Sequence, residues 1–135
     1  MSAPVDDGGR WPFRIDFRHD KSRLRAEVTG RMGSLENILA FWRILAAEAL
    51  RLGVTTLLIV DAAEGDPLEP EQLHEFIRSV NQLGLKGVRI AYVETDDARL
   101  PNDETAEILA RELGYVARIF GHETEAALWL RYGES

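Results

Sequence analysis

The chain reads as an α/β domain that opens with a hairpin and continues as alternating helices and strands. The expected order is β-β-α-β-α-β-α-β-α, a mixed sheet of about five strands covered by about four helices. Three observations predict this. Two period-two stretches stand close together near the amino terminus, a nearly continuous apolar run fills residues 55–61, and apolar stripes of helical spacing, each closed by a glycine, separate the later apolar runs. Strands joined through helices predict a sheet whose later part is parallel. At 135 residues, the chain has the usual size of one domain, placed here at residues 11–133.

Residues 1–10 offer Pro4, Asp6, Asp7, Gly8 and Gly9 with almost nothing to bury, so a disordered lead-in is expected. Phe13, Ile15 and Phe17 then alternate with Arg14, Asp16 and Arg18, a strand with one buried face. After the polar turn from His19 to Ser22, Leu24, Ala26 and Val28 repeat the pattern, and the two strands should pair as a hairpin. Ser34 suits the cap of a long helix that stops at Gly53. Leu35, Ile38, Trp42, Leu45, Ala49 and Leu52 make its stripe, with Phe41 at one edge and Leu39 and Leu50 at the other, a wider apolar face than packing on a sheet requires.

The run Thr55-Thr56-Leu57-Leu58-Ile59-Val60-Asp61 has the character of a central strand covered on both faces. A helix from about Pro70 buries Leu73, Phe76, Ile77 and Val80, and residues 88–93 form the next buried strand. Asn102 or Asp103 is the expected cap of a third helix, with Ala106, Leu109, Ala110 and Leu113 inward. A short strand over 116–120 and a closing helix from about His122 to Tyr132, burying Ala126, Trp129 and Leu130, complete the order.

Composition narrows the function classes. With 23 acidic against 16 basic side chains the net charge is −7, which works against nucleic acid and anionic membrane surfaces as partners. The absence of cysteine excludes disulfides, thiolate catalysis and thiolate-rich metal sites and is compatible with a reducing compartment. No apolar stretch approaches the roughly 20 residues of a bilayer span, and the amino terminus lacks the pattern of a secretory signal, so stable membrane insertion is not expected and the expected location is the cytoplasm.

Three segments carry a family resemblance: Val28-Thr29-Gly30-Arg31 at the end of the hairpin, Leu57 to Asp61, and the closing run from Ala117 to Leu130 with its Ala-x-x-Trp-Leu core. Through them the chain, from about Trp11 to Arg131, resembles the STAS-type domains related to the bacterial sporulation anti-sigma-factor antagonist. The resemblance implies a fold and a role in protein-protein signalling or in binding apolar ligands, as in a lipid-binding relative of this architecture, and it implies no reaction and no cofactor. In the antagonists a phosphorylatable Ser or Thr opens the helix after the central strand. Here no Ser, Thr or Tyr lies between Leu57 and Arg78, so that switch is absent. Glu69 and Glu71 near that helix start read either as a fixed mimic of the phosphorylated state or as acids favoured in any first helical turn.

Asp61, Glu64 and Asp66, with His74 further on, are the most chemical-looking group, standing where ligands of open α/β sheets bind. Their spacing is a poor match to a metal loop, and a solvated acidic turn in which Asp61 accepts from local backbone amides is the plainer reading. A receiver domain would need an acidic pair after its first strand, where this chain has a hairpin. No G-x-S-x-G motif accompanies the three histidines, and Gly30-Arg31-Met32-Gly33 lacks the lysine of a phosphate loop. The expectation is a non-catalytic binding or regulatory module. Its partner surface, for another protein or a second copy, would use Phe41, Asp61, Glu64, Asp66, Leu68, Glu69 and His74. The alternative is a carrier of a small apolar molecule, held by Ile38, Phe41, Trp42 and Leu45. A metal-dependent enzyme built on the Asp61 loop is the distant alternative.

Overall fold

The computed structural model describes residues 2–5 and 11–132. Strand β2 (Phe13–Asp20) and strand β3 (Arg23–Gly30) form the hairpin, antiparallel with Asp20 opposite Arg23, and Lys21 turns the chain with a φ of 55°. Their alternation sorts Ile15, Phe17, Leu24, Ala26 and Val28 into the core. Ahead of them Ser2–Val5 pairs antiparallel with β2 as strand β1. This corrects the expectation for residues 2–5 of the lead-in: the hairpin leaves the outer edge of β2 with open hydrogen-bonding groups, and an extended segment can pair there whatever it buries. The remainder of the lead-in, and residue 133, lie outside the described residues.

Helix α1 (Leu35–Leu52) starts where expected, with the Ser34 hydroxyl accepting from the Asn37 amide at 3.2 Å, and stops at Gly53 in the left-handed conformation, φ 66°. Strand β4 (Thr56–Asp61), helix α2 (Pro70–Val80), strand β5 (Arg89–Glu94), helix α3 (Leu100–Glu112), strand β6 (Ala117–Phe120) and helix α4 (Glu123–Tyr132) follow. The sheet order is β1-β2-β3-β4-β5-β6, antiparallel up to β3 and parallel from β3 to β6. Among the described residues the sheet therefore has six strands, the five expected and β1.

Each parallel step moves one place in the same direction, and crossovers of one hand then put α1, α2 and α3 on the same face. Leu57 and Ile59 of β4 and Ile90 of β5 point into that side, whereas Leu58, Val60, Ala91 and Val93 meet Ala126, Trp129 and Leu130 of α4 on the other. Arg25 on β3 pairs with Glu123 at 2.8 Å and ties the start of α4 to the sheet. Two loops cross so closely that a Cβ on Gly65, whose φ is 152°, would stand 2.6 Å from the Gly33 Cα. Among the described residues no helix is long and apolar enough to cross a membrane.

The wide face of α1 has a packing explanation. Trp42 reaches Phe76 of α2, ring centroids 5.9 Å apart, and stacks on Tyr92 of β5 at 6.3 Å, while Phe13 closes over Phe41 edge-on at 6.2 Å. Phe41 has no exposed area at all, which removes it from any partner surface. Phe41→Ala should therefore cost about 3–5 kcal/mol, read as a lower urea midpoint at an unchanged slope. A loss below about 1 kcal/mol would mean that the aromatic ring packs less tightly than described.

Candidate functional site

The register of the parallel strands brings acids together. Asp61 is the Cα partner of Glu94 across β4 and β5, so these side chains lie side by side at the carboxyl ends of neighbouring strands, in phase with the inward Ile59 and Tyr92. Both are buried, Asp61 at 4% and Glu94 at 2% exposure. Like charges so placed repel. Arg99, itself buried, lies between them: its guanidinium donates to Glu94 Oε2 at 2.7 Å and stands 3.6 Å from Asp61 Oδ1. It also donates to the carbonyl of Ala63 at 2.7 Å and to that of Gly65 at 3.4 Å, so one cation holds two acids and the loop after β4. The Tyr92 hydroxyl donates to Asp61 Oδ2 at 2.5 Å, and Asp61 Oδ1 accepts from the Ala63 amide at 3.0 Å, the local backbone bond the sequence suggested.

Helix α3 adds the third acid. Asp96 caps a single 3-10 turn, Asp97–Arg99, that runs directly into α3 with Pro101 in its first turn. The helix thus starts earlier than expected, and Asn102 and Asp103 are not its caps. Asn102 grips the backbone of Leu68, accepting from its amide at 3.4 Å and donating to its carbonyl at 3.0 Å. Asp103 hydrogen-bonds Glu94. Neither Glu94 Oε1 nor Asp103 Oδ2, both buried, has a nitrogen or hydroxyl donor from the chain, so a bond between the two groups needs a carboxyl proton, and burial favours keeping it on Asp103.

Burial governs the acid–base properties. It pushes Asp103 up to about 10, aided by the hydrogen bond to Glu94 and by the nearby charges of Glu94 and Asp61, with Arg99 opposing. Burial also raises Asp61, against the pull of Tyr92 and Arg99, and raises the Tyr92 phenol well above its ordinary range. It works against the charge on Arg99, but Glu94 and Asp61 outweigh it and the guanidinium is held more firmly protonated.

This polar group forms one end of a cavity of about 120 Å³ between the sheet, α2 and α3. Ile38 and Trp42 of α1, Leu73, Phe76 and Ile77 of α2, and Ile90 and Tyr115 make its apolar wall, while the exposed Asp66, Pro67 and Arg118 bring it to the surface. The roof is α3, in which no residue is buried; Ala106, Leu109 and Ala110 are only partly covered, and Leu113, expected inward, is 39% exposed because the helix ends just before it.

Of the residues singled out from sequence, Asp61, Asp66, Leu68, Ile38 and Trp42 reach this cavity. Phe41 and Leu45 do not: they are sealed in the core beneath α1. Leu68 is buried, at 8% exposure, and so is corrected as a contact surface: its side chain packs inward at the start of α2. Glu64 points to solvent while its backbone bridges to Arg31, His74 lies on the exposed side of α2, and Glu69 is the exposed cap residue of α2, its amide bonded to the Gln72 side chain at 3.1 Å. Among the described residues no three acids or histidines are arranged to hold a metal ion. The sequence reading missed Tyr92, Glu94, Arg99 and Asp103. The available signal was parity: Glu94 continues the buried phase of Ile90 and Tyr92, where an acid needs a partner.

Comparison with protein families and with curated proteins finds no match to this chain. Among solved structures, the NMR structure of the protein TM1081 is similar, with a TM-score of 0.47 and 14% sequence identity over 86% of this chain and 87% of that one.

The shared proton sets a pH dependence. Unfolded, Asp103 loses its proton near the ordinary value of about 3.9; folded, it keeps it up to about 10. Between these values the native state binds more protons, so Asp103's contribution to stability falls as pH rises and levels off above the folded value. Asp103→Asn keeps a donor toward Glu94 without a charge to bury. Its melting temperature should exceed that of the wild type by more at about pH 9 than at about pH 5, and equal gaps at the two would exclude the buried proton.

Proposed function

We propose that this domain is a non-catalytic binding module that takes up a small, mostly apolar molecule in the cavity beneath α3. The observation that carries the reading is the combination of an aromatic and aliphatic wall with a roof helix that buries no residue of its own. Apolar cavities of comparable size, about 150 Å³, stay dry and accept benzene or xenon, so the fitting ligand has roughly the bulk of one aromatic ring. Burial of that ring would supply the affinity. The likeness of three sequence segments to STAS-type domains agrees with binding in place of a reaction. In that setting the exposed Glu64, Asp66 and Glu69 form the surface that a protein partner would read, next to the mouth of the cavity.

Titration with toluene, followed by amide chemical shifts, tests the proposal. Wild-type protein should show saturable shifts centred on Trp42, Phe76, Ile90 and Ala110, and Ala110→Phe, which fills the space under the roof, should abolish them while leaving the fold's spectrum intact. Unchanged spectra in both proteins would remove the cavity as a binding site.

A further inference from the structure

We infer that the ligand's polar end is a cation, an amine or amidine carried on a body of about single-ring size. The inference rests on the cavity being a binding site and names which chemistry its closed end accepts.

The donors at that end are already committed. Arg99 spends its guanidinium on Glu94, Asp61 and the carbonyls of Ala63 and Gly65, and the Tyr92 hydroxyl points to Asp61. An anionic head would find no donor that is not holding the fold together, and would add a third negative charge beside Asp61 and Glu94. Acceptors, in contrast, can be freed. Glu94, whose side chain has no exposed area, and Asp103 both line the cavity, and Glu94 Oε1 and Asp103 Oδ2 take no nitrogen or hydroxyl donor, so only Asp103's own proton joins the two groups. An ammonium brings donors enough for both oxygens, which an alcohol cannot.

Charge arithmetic points the same way. Asp61, Glu94 and Asp103 face one guanidinium, with Asp66 and Glu107 also on the wall and Arg118 at its rim. Glu107 is occupied, since its Oε1 accepts from the Ile119 amide at 2.7 Å. A ligand ammonium placed between Glu94 and Asp103 takes the role that Asp103's proton plays between them. That proton then leaves to solvent, and three acids face two cations, so the net charge of the group stays at one negative while every carboxylate gains a cationic neighbour. The aromatic wall suits a cation adjoining a ring, and the chain's net charge of −7 favours its approach.

Calorimetric titrations with benzylamine, benzyl alcohol, toluene and benzoate, in phosphate and in Tris buffer near neutral pH, test this. Benzylamine should bind about tenfold or more tighter than benzyl alcohol, benzoate should not bind, and the benzylamine enthalpy should differ between the buffers by the amount that release of about one proton requires. Asp103→Asn should abolish the buffer dependence and weaken benzylamine far more than toluene, an outcome that a merely structural Asp103 would not produce. If toluene binds and benzylamine binds no tighter, the cation assignment is overturned and the cavity reading stands. If neither binds, both fall.

Discussion

Asp61 and Glu94 are adjacent because parallel pairing of β4 and β5 makes them so, and the fold is arranged around that repulsion. Removing a buried pair's counter-charge costs about 3–5 kcal/mol, a large share of what keeps a domain of this size folded. Arg99 supplies the counter-charge, and supplying it fixes much else. The guanidinium must lie at the carboxyl ends of two strands, which holds the 3-10 turn against the sheet and pulls in the loop through Ala63 and Gly65. The same turn launches α3 at Leu100, so the start of the roof helix is set by electrostatics at the strand ends more than by apolar contact.

The two faces of the sheet divide the remaining work. Crossovers of one hand send three helices to a single face, where α1 is anchored by its sealed aromatic residues and α3 is not. The opposite face needs only α4 over β4 and β5, since the outward residues of β2 and β3 are charged and suit water. A sheet loaded so unequally has its firm core under α1 and its looser volume under α3, which is where the cavity lies.

The elements were legible in the sequence wherever a period or a cap fixes them: the hairpin, the Ser34 and Gly53 ends of α1, the buried β4, and Pro70 at the start of α2. The start of α3 was not, because Asn102 and Asp103 look like caps by residue type and are instead drawn into tertiary bonds with Leu68 and Glu94. The site was half legible. Asp61 stood out, but local spacing grouped it with Glu64, which faces outward, and Asp66, which lies only at the exposed mouth of the cavity, when its hydrogen-bonded and charged neighbours come from the next strand and the turn beyond it. Register across a sheet is not a local property of the chain, and only the parity of Glu94 hinted at it. Phe41 illustrates the opposite error, a residue at the edge of a helical stripe that proves central once Phe13 folds over it.

The absence of any buried residue in α3 has a kinetic meaning. A helix held by a few polar tethers and partly covered alanines is a unit that can open without the rest of the domain unfolding, at a fraction of the global free energy. Its amides would then exchange with solvent far faster than those of α1. A molecule reaching the cavity would be admitted at a rate set by that opening, with its apparent affinity scaled by the fraction of time the roof is receptive. Once seated, the same molecule would lend α3 the packing its own sequence withholds.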